Sequence, residues 1–233
     1  MMFRAVLFDL DGTLLDTLPD IRDGMNRALL AFGLPQYDRE AYRNMVGWGV
    51  ERLAELAVPA EDRDRIDFEE LVQALKREYA AQPVTGTTAF PGMAELAAEL
   101  KKAGVPTAVL SNKPHEITTN IVTEVLGAEV FTAVYGARAE FPKKPDPQAA
   151  LRIAQDMGVP PQEMVFVGDT AIDMETAQAA GMYPVGVSWG YREVEELWMH
   201  GAAMVTDDPA EIRSLVLHEE DSTTDEEIPV SGR

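Results

Sequence analysis

The sequence predicts an α/β protein: a Rossmann-like parallel sheet core with helices on both faces, plus a helical domain inserted after the first strand. Three observations support this fold class. A buried-strand pattern opens the chain at residues 4–9, helical patterning dominates residues 17–88, and short apolar strands alternate with amphipathic helices after residue 90. Such alternation is typical of a parallel sheet covered by helices. Hydrophobic residues make up 46% of the 233 residues, which is ample for a large core.

The first strand is predicted because the apolar run Ala5-Val6-Leu7-Phe8 directly precedes a polar turn. In the inserted region, apolar side chains recur at helical spacing near residues 21–32, 50–57 and 66–79. Residues 83–88 contain proline, glycine and threonines and predict a linker. The predicted domains are a core of residues 1–16 and 89–217, a helical domain of residues 17–88, and a tail of residues 218–233.

Strands and helices alternate through the remainder of the chain. The predicted strands cover residues 107–110, 130–135, 164–167, 185–187 and 203–205. The predicted helices cover about residues 93–100, 117–125, 149–157 and 172–181. In such sheets, ligands bind beyond the carboxyl ends of the strands. Polar residues at those ends are therefore the candidates for a functional site.

The acidic composition argues against some partners. The chain has 40 acidic and 20 basic residues, and its net charge of −20 repels nucleic acid and anionic membranes. We therefore predict neither as a partner, and the oligomeric state stays open. A phosphate site would need local cations to overcome the same repulsion. The acidic tail of residues 218–233 is too polar to bury and is predicted to be disordered.

The expected localisation is the cytoplasm. Cysteine is absent, which excludes disulfides and thiolate chemistry and fits a reducing compartment. No apolar stretch approaches the roughly 20 residues of a membrane-spanning helix. The N-terminus enters a strand without the basic region and apolar stretch of a secretory signal.

The first strand is followed by two aspartates, Asp9 and Asp11, in the segment FDLDGT. Alternate residues of an extended segment point the same way, so both carboxylates can face one site. Asp9 is the candidate nucleophile toward phosphorus, and Asp11 the candidate acid and base for the leaving oxygen and for water. Gly12 lets backbone approach a ligand closely, and the turn that it forms with Thr13 suits phosphate oxygens. An ordinary Asp-Gly turn after a strand is the alternative.

Other polar residues follow later strands and should reach the same edge of the sheet. Ser111 and Asn112 follow the second major strand, and Asp169 and Asp173 follow a later one. Mg²⁺ prefers oxygen ligands, which Asp9, Asp169 and a backbone carbonyl near Asp11 can supply. Asp173, one helical turn beyond Asp169, is the candidate for binding a metal-bound water. Ser111 can bind a phosphate oxygen, Asn112 is a further candidate for contact with phosphate or substrate, and Lys144 can neutralise charge there and on Asp9.

The joint order of these blocks resembles the haloacid dehalogenase superfamily in its phosphatase branch. The resemblance rests on FDLDGTLLDT at residues 8–17, LSNKP at 110–114, KKPDP at 143–147 and VGDTAID at 167–173. It implies catalysis by Asp9, Asp11 and Lys144 and a Mg²⁺ site formed with Asp169. It also implies that residues 17–88 are a mobile cap of the C1 type, which would close over the core about two linkers.

The segment RNMVGWG at residues 43–49 resembles the specificity loop of such a cap. Gly47 and Gly49 would let backbone approach the site, and Arg43 or Arg52 could meet a substrate carboxylate. The blocks LSNKP, KKPDP and GVSWGY are most similar to those of phosphoglycolate phosphatases. The implied reaction is Mg²⁺-dependent hydrolysis of a small phosphate monoester, best matched by 2-phosphoglycolate, through an aspartyl-phosphate. Lys113 is a further candidate for substrate contact.

Related activities within the superfamily remain alternatives. A dehalogenase needs neither Asp11 nor the Gly168-Asp169 block, and a P-type ATPase would carry lysine in place of Asp11. A phosphonate hydrolase uses a cap lysine, but Lys76, the only lysine between residues 17 and 88, stands among charges that predict a helix surface. A sugar-phosphate phosphatase or mutase, a pyrophosphatase and a nucleotidase stay open, because the cap selects the substrate.

Two unrelated classes also deserve comparison. The segment Gly186–Gly190 fits the G-x-S-x-G pattern of serine esterases, with Ser188 followed by Asp207 and His218. That interpretation leaves both aspartate blocks without a purpose. A phospho-accepting receiver domain also uses aspartates around Mg²⁺, but it accepts phosphate on a later strand and lacks a helical insertion after the first.

Overall fold

The structure, a computed structural model, describes residues 3–81, 84–127 and 129–217. Along the chain, the helices and strands are β1 Ala5–Phe8, β2 Leu15–Asp16, α1 Leu18–Ala31, α2 Arg39–Met45, α3 Val50–Ala57, α4 Phe68–Ala80, β3 Thr88–Ala89, α5 Met93–Lys102, β4 Thr107–Pro114, α6 His115–Val125, β5 Ala133–Ala137, α7 Gln148–Met157, β6 Met164–Gly168, α8 Ala171–Ala180, β7 Tyr183–Val187, α9 Val194–Met199, β8 Met204–Thr206 and α10 Pro209–Val216. Short 3-10 helices cover Ala60–Arg65 and Pro161–Glu163.

A six-stranded sheet in the order β5-β4-β1-β6-β7-β8 forms the core. Every neighbouring pair is parallel, with Leu7 of β1 opposite Ala108 of β4 on one side and Phe166 of β6 on the other. Helices cover both faces, so the predicted α/β fold with a Rossmann-like core is confirmed. The carboxyl ends of all six strands share one edge of this sheet.

Strand β1 lies at the centre because its side chains are apolar on both faces. Val6 and Phe8 pack into one hydrophobic cluster, and Ala5 and Leu7 pack into the cluster on the opposite face. Full burial of a large apolar side chain stabilises the fold by about 1.5–3 kcal/mol. This burial fixes the backbone directly before Asp9, so the position of the first aspartate is set by the end of a buried strand.

Helices α1 to α4 form the inserted part, between the short strands β2 and β3. Leu71 and Leu75 of α4 are fully buried in the cluster that also includes Leu29 of α1. Asp38 and Asp67 accept backbone N–H groups at the starts of α2 and α4, as N-cap residues do. Helix α2 was not predicted, because its short sequence REAYRNM buries only Tyr42.

Several predicted bounds differ from the observed ones. The strand predicted at residues 130–135 is β5, Ala133–Ala137, because Phe131 instead packs into the core before the ladder begins at the Ala133–Ala108 pair. Helices α9 and α10 were not predicted, since each is short. The predicted tail of residues 218–233 lies outside the described residues. No helix in the described part of the chain is long and apolar enough to span a bilayer.

The two connections between the helical part and the core are joined to each other. Strands β2 and β3 pair in antiparallel fashion, with Leu15 opposite Ala89. The buried carboxylate of Asp20 in α1 also accepts the N–H groups of Gly86 and Thr87 (2.9 and 2.8 Å) and the Thr87 hydroxyl (2.7 Å). The entry and exit of the helical part are thereby held as one ribbon.

We expect Asp20→Ala to lower the free energy of unfolding by about 3 kcal/mol, because Thr87 would lose a buried charged acceptor. Urea denaturation of the variant and the wild type measures the loss. Asp23→Ala, which removes an exposed carboxylate from the same helix, is the matched control and should change stability by less than about 0.5 kcal/mol. Equal effects of the two substitutions would contradict the role given to Asp20.

Candidate active site

The carboxyl ends of the central strands bring the polar residues of four sequence blocks together. Asp9 follows β1, Ser111 and Asn112 lie in the second half of β4, and Asp169 follows β6. These side chains, and that of Lys144, are all buried. A buried charge is costly unless other groups pair with it, so each must be supported by its neighbours.

The ammonium of Lys144 joins two of the carboxylates. Its Nζ donates to Asp9 Oδ1 and to Asp173 Oδ1, both at 2.7 Å. Burial alone would lower the pKa of Lys144, but the charges of Asp173 and Asp9 outweigh that effect and raise it. Lys144 therefore stays positively charged next to Asp9, the candidate nucleophile. The other oxygen of Asp173 accepts from the Thr170 hydroxyl (2.7 Å) at the start of α8.

Asp169 is held by the residues around it. Its carboxylate accepts from the Thr13 hydroxyl (3.1 Å) and from the backbone N–H of Tyr191 (2.7 Å). Gly12 has a φ of +88°, and a Cβ there would lie 2.2 Å from Asp169 Oδ2. Glycine is therefore required at position 12 both by the backbone and by the space.

The turn after β1 thus has contacts other than the predicted ones. Gly12 and Thr13 were predicted to contact phosphate, but the Gly12 N–H donates to the Leu15 carbonyl (3.0 Å) and the Thr13 hydroxyl donates to Asp169. Trp189 Nε1 also donates to the Thr13 carbonyl (3.0 Å). In the structure, the contacts of this turn position the Asp169 carboxylate and the backbone next to Asp11.

The acidic cluster fits a hard divalent cation. Carboxylate oxygens of Asp9, Asp169 and Asp173 lie within 4.8 Å of one another. Burial, followed by the repulsion from Asp173, raises the pKa of Asp9 well above its usual range and that of Asp169 to about 7. Burial and the mutual repulsion of the carboxylates both disfavour their charged forms, and a bound divalent cation would oppose both effects. An all-oxygen donor set of this kind suits Mg²⁺.

Asp11 has different surroundings from Asp9. Its Oδ1 accepts from Lys113 Nζ (2.5 Å) and from the Thr17 hydroxyl (2.5 Å). Lys113 also donates to the hydroxyl of Tyr79 (2.8 Å), which belongs to α4. The two aspartates of the FDLDGT segment therefore bind different partners, although they are two residues apart.

Ser111 and Asn112 are buried at the end of β4. Ser111 Oγ accepts from the Lys113 backbone N–H (3.2 Å). The amide of Asn112, predicted as a substrate contact, accepts from the Lys144 N–H (2.9 Å) and donates to the Lys144 and Gly47 carbonyls (3.1 and 3.0 Å). Asn112 is thus engaged in placing Lys144 and in joining the core to the loop of residues 46–49.

A cleft that is open to solvent lies between the helical part and the strand ends, and its volume, with the open solvent included, is about 560 Å³. Asp9, Asp11, Ser111 and Lys113 form its polar floor. Gly47 and Gly49, predicted in the specificity loop, also line it. The opposite wall, in the helical part, is apolar and consists of Ile21, Met25, Val46, Val50 and Leu53, and Ile117 of α6 adds an apolar side chain from the core.

The arginines predicted to meet a substrate do not line this cleft. Arg43 donates to the Tyr191 carbonyl (2.8 Å), and Arg52 pairs with Glu55 (2.7 Å) on the exposed surface. Arg192 approaches from the core and donates to the Val46 carbonyl (2.8 Å) and the Arg43 carbonyl. Arg43 and Arg192 therefore join the two parts of the molecule, because each reaches a carbonyl of the other part.

Lys76 does line the cleft, although sequence reasoning assigned it to a helix surface. Its Nζ lies 3.0 Å from Glu51 Oε1. Glu51 also pairs with Lys143 of the core. Lys76 stands three residues before the buried Tyr79, and this spacing places both on one helix face. The spacing of Lys76 and Tyr79 could therefore have identified Lys76 as a residue of the cleft.

The G-x-S-x-G segment contributes to the aspartate site instead of forming a serine nucleophile site. A Cβ at Gly190 would lie 2.2 Å from the Asp169 side chain, and Tyr191, directly after the segment, donates its N–H to Asp169. The Ser188 N–H donates to the Thr206 carbonyl (3.0 Å). His218, the candidate base of that alternative, lies outside the described residues.

Comparison with known proteins adds independent findings. A family model for haloacid dehalogenase-like hydrolases matches residues 6–187. A phosphoglycolate phosphatase of Pseudomonas putida is 34% identical over 209 residues, covering 88% of this chain and 76% of that protein. The structure of a predicted phosphoglycolate phosphatase from Haemophilus somnus superposes with a TM-score of 0.84 at 27% identity, covering 92% of this chain and 98% of that one. A Rhodobacter sphaeroides CbbY variant in complex with xylulose 1,5-bisphosphate has a TM-score of 0.77 at 27% identity, with 93% and 100% coverage.

Mg²⁺ should stabilise the protein through the acidic cluster. At a concentration 100-fold above its Kd, the ion should add about 2.7 kcal/mol to the free energy of unfolding. Thermal denaturation with Mg²⁺ and with chelator measures the difference. Asp169→Asn should abolish most of it, whereas Asp156→Asn, on the exposed surface, should preserve it. A full Mg²⁺ effect in Asp169→Asn would contradict the assignment.

Glu51 should stabilise the protein in a pH-dependent way. Burial by itself would raise its pKa, but hydrogen bonds from Lys143 and Lys76 outweigh this and lower it from 4.5 to about 2. The contribution is therefore complete above about pH 4.5 and is lost as the pH falls toward 2. The stability difference between the wild type and Glu51→Gln should be constant from about pH 7 to 5 and smaller near pH 3.

The control is to repeat the comparison in a protein that also carries Lys143→Met, which removes one of the two cations that lower the pKa of Glu51. In that protein, the stability change caused by Glu51→Gln should depend less on pH. A difference that grows on acidification would rule out the ion pairs as its source.

Proposed function

This chain belongs to the haloacid dehalogenase-like hydrolase family, and on that premise we propose that it is a Mg²⁺-dependent phosphatase of 2-phosphoglycolate. The products would be glycolate and inorganic phosphate. The observation that carries the proposal is the buried Asp9, paired with Lys144 and set in the cluster with Asp169 and Asp173. The similarity to phosphoglycolate phosphatases supports 2-phosphoglycolate as the substrate. The absence of cysteine supports a cytoplasmic setting.

Asp9 is the nucleophile in this proposal. A carboxylate oxygen of Asp9 forms a bond to phosphorus while the bond from phosphorus to the glycolate oxygen breaks, which leaves an aspartyl-phosphate. Lys144 holds Asp9 Oδ1, and its positive charge opposes the rise in the pKa of Asp9 that burial and the neighbouring carboxylates cause. Water then attacks phosphorus, releases phosphate and restores Asp9.

Asp11 moves the protons. It gives a proton to the departing glycolate oxygen and later takes one from the attacking water. Among the described residues, Thr17 and Lys113 both bind its Oδ1, so we assign proton transfer to Oδ2. Ser111, at the same floor of the cleft, supplies its hydroxyl to a phosphoryl oxygen.

Asp9, Asp169 and the backbone carbonyl of Asp11 would hold Mg²⁺. When bound, the ion would supply charge stabilisation to the phosphoryl oxygens. Asp173 stays outside this set in the proposal, because its Oδ1 binds the Lys144 ammonium and its Oδ2 already accepts two hydrogen bonds from Thr170. Its part is to orient Lys144 and to bind a metal-bound water.

Residues 17–88 act as the mobile cap in this proposal. The β2–β3 ribbon and the Asp20 contacts support it, because they join both linkers into one hinge. Asn112 and Gly47, and Lys113 and Tyr79, bond across the cleft. These contacts would form as the cap closes and would exclude bulk water from Asp9.

A larger phosphate ester is the second candidate substrate. The apolar side chains that line the cleft from the helical part are more extensive than the contacts of a two-carbon acid require. The sugar bisphosphate bound to the similar CbbY variant is a molecule of the appropriate size. A sugar-phosphate substrate would use the same aspartates, because only the cap contacts would differ.

A substrate panel tests the proposal. We expect the highest kcat/KM for 2-phosphoglycolate among that compound, ethyl phosphate, 4-nitrophenyl phosphate and a sugar bisphosphate, with no turnover in chelator. Asp9→Asn should lower every activity by at least about 1,000-fold. Preference for the sugar bisphosphate would select the second candidate, and near-normal activity of Asp9→Asn would refute the mechanism.

A further inference from the structure

The proposed substrate carries a second anionic group besides its phosphate. The carboxylate of 2-phosphoglycolate must enter a protein whose net charge is −20. An apolar wall faces the polar floor of the cleft. An ionised carboxylate in such surroundings needs a cation within hydrogen-bond reach. The following inference rests on the proposed function and concerns which residue supplies that cation.

Two lysines near the phosphate are already committed. Lys113 is 4% exposed and donates to Asp11 and Tyr79, and Lys144 is 3% exposed and donates to Asp9 and Asp173. Removing either ammonium from its partners would leave a buried carboxylate unpaired, at considerable cost. Neither is therefore available for the carboxylate of a substrate.

Lys76 differs from both in its accessibility. It lines the cleft from α4, and its side chain is 34% exposed. Its partner Glu51 is 48% exposed and has a second cation, Lys143, on the core. A Cβ on Gly49 would lie 2.6 Å from Lys143 Nζ, so the glycine makes room for this pairing. Glu51 can therefore remain paired when Lys76 turns to another anion.

We propose that Lys76 is the specificity-determining residue that binds the carboxylate of the substrate, and that Glu51 is its resident counter-ion. On binding, the substrate carboxylate takes the place of Glu51 at the Lys76 ammonium, and Glu51 stays on Lys143. The lowered pKa of Glu51 agrees with this arrangement, because the carboxylate remains charged throughout. No proton moves and no covalent bond changes in this exchange.

Paired substrates test the assignment. Ethyl phosphate matches 2-phosphoglycolate in length but carries a methyl group in place of the carboxylate. We expect Lys76→Met to lower kcat/KM for 2-phosphoglycolate by about 10- to 100-fold, mainly through KM, since a hydrogen bond to a charged group is lost. The same variant should hydrolyse ethyl phosphate within about twofold of the wild type.

Two further variants serve as controls. Lys76→Arg keeps the charge and should retain most of the preference for 2-phosphoglycolate. Arg77→Met removes the next cation of α4, on an exposed position, and should leave both activities within about twofold. Equal losses on both substrates in Lys76→Met and Lys76→Gln, or no loss on either, would overturn the inference. A wild type that does not prefer 2-phosphoglycolate to ethyl phosphate would instead refute the proposed substrate, and this inference with it.

Discussion

The rest of the site depends on the ion pairs that the buried Lys144 ammonium makes with two carboxylates. The ammonium lies between Asp9 and Asp173, at hydrogen-bond distance from both. Removing one partner of such a buried pair costs about 3–5 kcal/mol, because the remaining charge is left without compensation. Asn112 binds the backbone of Lys144 on both its N–H and its carbonyl. The loop that carries Lys144 is thereby attached to β4 and to the central sheet.

The same groups that organise the core also contact the helical part. Asn112 reaches the Gly47 carbonyl, Lys113 reaches Tyr79, and Lys143 reaches Glu51. Each contact joins a residue of a core sequence block to the helical part. If the helical part closes over the site as proposed, closure and preparation of the aspartates would be one event, because the side chains that complete the site also contact the helical part.

The spacing of apolar residues predicted the strands of the sheet and most of the long helices, since burial on a sheet or helix face leaves a period in the sequence. Short elements such as α2 and α9 escaped prediction because they bury few side chains. Lys76 was assigned to a surface for a related reason: its sequence neighbours are charged, but its helix face is turned toward the cleft. Arg43 shows the opposite error: it was predicted to contact substrate because it lies in the specificity loop, but its side chain binds the Tyr191 carbonyl of the core.

The sequence alone determined the fold class, the family and the residues that meet at the strand ends, because parallel strands bring their carboxyl ends to one edge. Only the tertiary structure decided which partner each charge has. Asp9 and Asp11, two residues apart, pair with lysines 135 and 102 positions away, and no local pattern specifies such distant contacts. The same holds for the cleft wall, which forms where helices far apart in sequence pack over the sheet edge.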